Sequence, residues 1–260
     1  MPKVEPVLIF DLDGTILHRN SFPIWAVTML GLRAHGLPLR RRMTLSLAVQ
    51  RLLLARKLRR FDHDTMLRRL QSLWNSVAAE PGATIAEHVQ TRLLRMVRSN
   101  IAPILGLVAE DVMDGILATA AAGEYAIPLG RQLGFSTIIA TGVQRPPDEP
   151  HNSGAHKRDR VVALLHERGW SERPRIFFND DLADQPLMQE SQAVCWFGND
   201  RDLGKAKAAA PSVRFVPCRA MRPNELSATI AHLGQSLAAA QLASMPWVFP
   251  AARPRARTAS

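Results

Sequence analysis

Val7-Leu8-Ile9-Phe10-Asp11-Leu12-Asp13-Gly14-Thr15 joins an apolar run to two acids and a glycine. Four consecutive apolar residues, two of them β-branched, suit a strand buried on both faces, as in parallel sheets. The run ends abruptly in two acids. In extended backbone, residues i and i+2 project to one side, so Asp11 and Asp13 converge while Leu12 turns back into the apolar interior. Convergent carboxylates repel unless a cation lies between them or one holds a proton. Gly14 permits the sharp departure of the chain just beyond. An Asp-rich turn is the purely structural alternative. The carboxyl end of a buried strand is, however, where open α/β sheets place their chemistry.

Outward from this strand the pattern changes. From about residue 21 to 99 the periodicity is helical: Trp25, Met29 and Leu32, then Leu45, Val49, Leu52 and Leu53, then Met66, Leu67, Leu70 and Trp74, then Ile85, Val89 and Leu93. Pro38, Pro81-Gly82 and Pro103 divide it into three or four helices. Strand and helix then alternate. Strands are expected at 116–118, 137–140, 175–178, 194–197 and 213–216, and helices at 125–133, 158–168, 182–191 and 224–242; residues 104–114 are open between helix and loop. The fold class is therefore α/β: a Rossmann-like parallel sheet covered by helices, with an all-helical cap domain inserted after the first strand. The expected division is a discontinuous core of residues 1–20 and 105–245, a basic helical cap of 21–104, and a flexible basic tail of 246–260.

Composition narrows the function classes. The chain has 260 residues, 47% of them apolar and 22% charged, which excludes disordered, collagenous and disulfide-stapled proteins. The longest apolar run, residues 22–32, has eleven residues, short of the roughly 20 that span a bilayer. Glu5 and Asp11 sit where a secretory signal would be cationic and then apolar, so the expected location is cytoplasmic. Cys195, inside an apolar run, reads as a buried thiol. The net charge of +10 is concentrated: residues 33–69 hold eleven Arg or Lys against Asp62 and Asp64. Such a segment is either a solvated helix face or a seat for an anionic partner such as phosphates, nucleic acid or an anionic membrane surface.

Phe10-Asp11-Leu12-Asp13-Gly14-Thr15 after an apolar strand, followed by a helical insert, resembles the first motif of the haloacid dehalogenase superfamily. The resemblance is to its phosphatase branch with a helical cap after that motif, the phosphoserine phosphatase-like arrangement. It implies that Asp11 attacks phosphorus and that Asp13 serves as general acid and then base; an acid at the second position argues for phosphoryl rather than haloacid chemistry. Three further segments match in order. Thr119, after Ile116-Leu117-Ala118, matches the second motif, whose hydroxyl and following N–H, that of Ala120, bind phosphoryl oxygen. Lys157, at the start of an apparent helix, matches the third, a lysine that holds the nucleophile. Asn179-Asp180-Asp181-Leu182-Ala183-Asp184 resembles the fourth, implying that Asp180 binds Mg²⁺ and that Asp184 orders the metal's water shell or the lysine. Asp181 leaves open which of two adjacent acids meets the metal.

The resemblance thus implies a Mg²⁺-dependent phosphoric monoester hydrolase working through an aspartyl-phosphate, with metal ligands from Asp11, the Asp13 carbonyl and Asp180. The expected substrate is a phosphorylated small molecule or a lipid-like phosphate, with no obligate nucleic acid and with possible contact between the basic cap and an anionic membrane surface. The cap carries no recognisable serine-binding pattern. His18, Arg19 and Asn20 read as an ordinary polar linker, the site mouth being the alternative. Phosphoryl transfer to another acceptor and a degenerate anion binder are the competing readings. Trypsin-like and papain-like sites fail, because no Ser or Cys has the required strand-end context with a His and an acid.

Overall fold

The computed structural model describes residues 5–30, 37–60, 62–79, 84–142 and 150–244. The strands are β1 (Val7–Phe10), β2 (Gly115–Ala122), β3 (Thr137–Thr141), β4 (Arg175–Asn179), β5 (Ala193–Trp196) and β6 (Arg214–Pro217). They form one sheet in the order β3-β2-β1-β4-β5-β6, every neighbouring pair parallel. The chain builds outward from β1 to one side, then returns to build on the other, so the strand order reverses beside β1. That reversal opens a crevice at the carboxyl ends of β1, β2 and β4.

Both faces of the sheet are covered, as continuous apolar strands require. Leu8, Phe10, Leu117 and Phe178 enter one apolar cluster, and Val7, Ile9, Ile116 and Phe177 enter another on the opposite face. Phe10 stacks on Phe178 with ring centroids 4.3 Å apart. Leu12 is fully buried, as the alternation predicts. Cys195 and Cys218 are buried free thiols.

The insert comprises α1 (Phe22–Leu30), α2 (Leu39–Lys57), α3 (His63–Ala78) and α4 (Ile85–Leu94). Helix α1 packs on α2 and α4, while α3 and α4 reach α6 (Gly123–Gln132). Trp25 lies 5.9 Å from Trp74 and 5.4 Å from Tyr125 between ring centroids, so the insert shares an apolar cluster with one sheet face. Its two connections run side by side: the His18 N–H donates to Met96 O at 3.0 Å and the Arg98 N–H to Ile16 O at 2.9 Å. The expected end of the cap at residue 104 falls inside α5 (Ala102–Ala109), which packs on α10 (Pro223–Ser244).

Four details refine or differ from the sequence reading. The segment 104–114 is largely helix α5, started by Pro103 in its first turn. The single helix expected over 182–191 is a 3₁₀ turn, Leu182–Asp184, followed by the short α8 (Gln185–Gln189), with Pro186 starting the latter. Between them comes the loss of a continuous ladder, because Pro186 has no N–H to give. Helix α9 (Asp200–Ala209) was not anticipated; it buries only Leu203 and Ala206, too few apolar positions to give a period, although Asn199 caps it by accepting from the Asp202 N–H at 2.8 Å. Helix α7 (Gly154–Glu167) starts earlier than expected and so contains Lys157. The expected tail disorder lies outside the described residues. Among the described residues no helix is long and apolar enough to cross a membrane.

Candidate active site

Asp11, Asp13, Thr119, Ala120, Lys157, Asp180, Asp181 and Asp184 all line one cavity of about 380 Å³ at the carboxyl edge of the sheet. The sheet register explains their meeting. Phe10 pairs with Leu117 on one side and Phe178 on the other, so the chains leaving β1, β2 and β4 emerge together. The Asp11 N–H still donates to Phe178 O at 3.0 Å, which holds the start of the acidic turn against β4.

Lys157 crosses from the first part of α7 to the floor of the cavity and is 1% exposed. Its Nζ donates to Asp11 Oδ1 at 2.8 Å and also to Asp184 Oδ2. Asp184 in turn accepts from the Gly154 N–H at 3.2 Å. The paired carboxylates raise the Lys157 pKa against the opposing effect of burial, so this ammonium stays charged. Burial pushes the Asp11 carboxyl up to about 8; Lys157 opposes this, while Asp184 and Asp180 push further upward. One ammonium thus faces the carboxyls of Asp11, Asp13, Asp180 and Asp184.

Asp13 is set differently. Its Oδ1 accepts from the Ser21 N–H at 2.8 Å and its Oδ2 from the Ser21 hydroxyl at 3.0 Å. Because the serine proton goes to Asp13, the Tyr125 hydroxyl, 2.8 Å from Ser21 Oγ, is the donor to that serine. Burial and the nearby Asp13 charge raise the pKa of this phenol, so it keeps its proton. Burial raises Asp13 to about 6, with the Ser21 hydrogen bonds pulling the other way. A carboxyl that titrates near neutrality can both give and take a proton.

Asp180 is also raised to about 6, by burial and then by Asp181, against a 3.4 Å hydrogen bond from Thr15. The turn at Gly14, with φ of 76°, passes directly over it: a Cβ there would lie 1.8 Å from Asp180 Oδ2, so only glycine fits. Asp181 is exposed and accepts from the Ala183 N–H at 3.0 Å, capping the 3₁₀ turn. Of the two adjacent acids, Asp180 is the one tucked under the Asp13–Thr15 turn.

The Thr119 hydroxyl accepts from the Ala121 N–H at 3.1 Å, leaving its own proton for an acceptor in the cavity. The backbone here is held by residues the sequence reading did not single out. Asn152 donates to Thr119 O at 2.8 Å, and the Thr141 hydroxyl to Ala120 O at 2.8 Å. Arg98 was missed as well. Its guanidinium donates to Gly14 O at 2.8 Å through Nη2 and 3.3 Å through Nε, and it lies over the Phe197 ring at 5.5 Å. Ser21 and Tyr125 complete the group. Arg98, Tyr125 and Thr141 are far from the acids in the chain, so no local pattern announces them; Ser21, eight residues after Asp13, and Asn152, two residues before α7, sit near a motif.

His18, Arg19 and Asn20 line the cavity, so they form the site mouth rather than a plain linker. His18 Nδ1–H donates to Met96 O at 2.8 Å, turning its other ring nitrogen free. The same three residues also line an outer groove of about 480 Å³ with Ile24, Arg92 and Arg95. On the inner side, Asp13, Asn20 and Ala120 continue into a pocket of about 150 Å³ walled by Phe22, Leu67 and Tyr125.

A family model described as haloacid dehalogenase-like hydrolase matches residues 8–189. No curated protein sequence matches the chain. Among solved structures, a protein of unknown function from Bordetella pertussis Tohama I is similar with a TM-score of 0.62 at 17% identity, over 83% of this chain and 99% of that one. A probable phosphoserine phosphatase from Vibrio cholerae gives 0.58 at 13% identity, over 94% of this chain and 68% of that one. A phosphoserine phosphatase in complex with its substrate gives 0.50 at 10% identity, over 87% and 99%. At these identities the likeness is one of fold.

Proposed function

Because the chain belongs to the haloacid dehalogenase-like hydrolase family, we propose that it hydrolyses phosphate monoesters, with Asp11 as nucleophile and Asp13 as acid and base. The observation that carries this reading is the contrast between the two acids: Asp11 is clamped by a buried ammonium, whereas Asp13 is held by the hydroxyl and N–H of a neutral serine.

The donor set fits a magnesium ion. Asp11 and Asp180 present carboxylate oxygen from neighbouring strand ends, and each keeps an elevated pKa that a cation would relieve. Among the described residues no three His, Cys, Asp or Glu side chains close around one point. The Asp11 and Asp180 carboxylates, with the Asp13 carbonyl, would be the groups that hold a hard cation here. When bound, Mg²⁺ supplies neutralisation of the phosphoryl charge.

The residues of the chain then have distinct work. Lys157 occupies Asp11 Oδ1 and leaves Oδ2 to attack. As the Asp11–phosphorus bond forms, the bond to the leaving oxygen breaks and that oxygen takes the proton of Asp13. Thr119 Oγ, the Ala120 N–H and Lys157 surround the phosphoryl oxygens with donors aimed where charge accumulates. A water then attacks phosphorus, Asp13 takes its proton, and Asp11 is released as carboxylate. Asp184 holds Lys157 in place throughout.

The substrate we infer is a small or lipid-like organophosphate. The pocket beside Asp13, walled by Phe22, Leu67 and Tyr125, suits an apolar part of the leaving group, and the arginines of the outer groove suit an anionic one. Phosphate release from p-nitrophenyl phosphate tests the reaction. It is expected to vanish in EDTA, return with Mg²⁺, and fall by at least about a thousandfold in Asp11→Asn. Turnover that survives EDTA, or survives in Asp11→Asn, overturns the reading.

A further inference from the structure

Helix α2 has two apolar faces, and the fold uses only one. Leu45 and Val49 are buried against the rest of the insert. Leu39, Met43, Leu47, Leu54 and Leu58, by contrast, are each 48–60% exposed. Their spacing of four, four, seven and four residues places them on one arc about 100° wide along about 28 Å of helix. Only three other large apolar residues, Val27, Val112 and Val162, are comparably exposed among the described residues. A scatter of single exposed leucines needs no explanation, but five apolar residues on one arc, interrupted only by Gln50 between Leu47 and Leu54, do.

The border of the stripe is cationic. Arg40 and Arg51 flank one side, Lys57 the other, and Arg59 and Arg60 follow its end, all exposed. Residues 37–60 contain no Asp or Glu. We propose that this face of α2 seats the protein on the interface of an anionic lipid bilayer. Five apolar side chains need an apolar medium, and the cations around them need anions; a headgroup layer over acyl chains offers both at the required depths. Nucleic acid would satisfy the cations and leave the leucines in water. A second copy of the chain packed face to face would cover the leucines while setting the arginine borders against each other. The docking surface lies outside the reaction centre and is independent of the reaction assigned to it.

Sedimentation of the full chain with vesicles tests this without any turnover. Binding to phosphatidylcholine vesicles containing about one third phosphatidylglycerol should exceed binding to pure phosphatidylcholine by at least about tenfold and weaken with added salt. The double variant Leu47→Glu, Leu54→Glu should lose at least about tenfold of that binding and retain p-nitrophenyl phosphate turnover. An environment-sensitive dye on Leu47→Cys, where both native thiols are buried, should shift to the blue on anionic vesicles only. Equal binding to both vesicle types, undiminished binding by the double variant, or an unmoved dye spectrum overturns the proposal. So does a dimer in sedimentation velocity that Leu47→Glu dissociates, which would give the face to a second copy.

Discussion

Ser21 grips Asp13 twice, main-chain N–H to Oδ1 at 2.8 Å and hydroxyl to Oδ2 at 3.0 Å. The serine stands immediately before α1, so the first residue of the insert orients the carboxyl that the proposed reaction uses as acid and base. Tyr125 on α6 backs the serine from the sheet side. The grip also keeps the Asp13 pKa from climbing further, since hydrogen bonds to a carboxylate favour its charged form.

Ser21→Ala should therefore raise the Asp13 pKa above about 6. The limb of the kcat/KM profile that reports Asp13 should move to higher pH by about half to one pH unit, and kcat on an alkyl monoester should fall about five- to tenfold. Tyr125→Phe should act in the same direction and less strongly. A limb that stays in place would assign it to another group.

Stability should fall with rising pH in the metal-free protein. Asp11, Asp13 and Asp180 have folded pKa values of about 8, 6 and 6 against an ordinary 3.8. The folded chain holds their protons more tightly than the unfolded chain, so their contribution is full below about pH 4 and is lost as pH rises through 6 to 8. Asp180→Asn should raise Tm at pH 8 by about 2–4 °C and change it little at pH 4. Mg²⁺ should raise the wild-type Tm more at pH 8 than at pH 5. Melting curves in EDTA and in Mg²⁺ decide it; a lower Tm for Asp180→Asn at pH 8 would refute it.

Lys157→Met should be the most costly single change at the site. It leaves Asp11 and Asp184 facing each other, 7% and 4% exposed, with no cation between them. Removing one partner of such a buried pair costs about 3–5 kcal/mol, to be read from urea unfolding at pH 7.5. Acidification should recover part of the loss by protonating the stranded acids. A cost below about 1 kcal/mol would show that the pair is not desolvated as described.

Arg98→Ala should loosen the turn at Gly14 that lies over Asp180, because the guanidinium is what holds the Gly14 carbonyl. The half-saturating Mg²⁺ concentration for turnover should rise about tenfold, with kcat at saturating Mg²⁺ nearly unchanged. A fall in kcat with unaltered Mg²⁺ dependence would place Arg98 on the substrate instead.

Much of the fold is legible in short stretches of the chain. The apolar runs of β1, β2, β4 and β5 are almost wholly buried, as strands inside a parallel sheet must be, whereas β6, at the sheet edge, is exposed at Arg214 and Pro217. The acids at strand ends and the lysine at a helix start are likewise local marks. Helix α9 escaped because it buries too little to show a period, and the segment over 182–191 broke early because a proline there starts a new helix.

Residue order alone marks Asp11, Asp13, Thr119 and Asp180 as polar groups within or just beyond apolar runs, Asp184 as an acid four residues after Asp180, and Lys157 as a basic residue at a helix start. How those groups are tuned depends on contacts made in three dimensions. Ser21 meets Tyr125 across 104 positions of chain, Arg98 meets Gly14 across 84, and Lys157 meets Asp11 across 146. Burial, charge pairing and hydrogen-bond direction depend on distances in space, and a linear order of residues contains none of them. The same holds for α2, whose leucines carry a helical period in sequence while the packing of the insert alone leaves half of them facing outward.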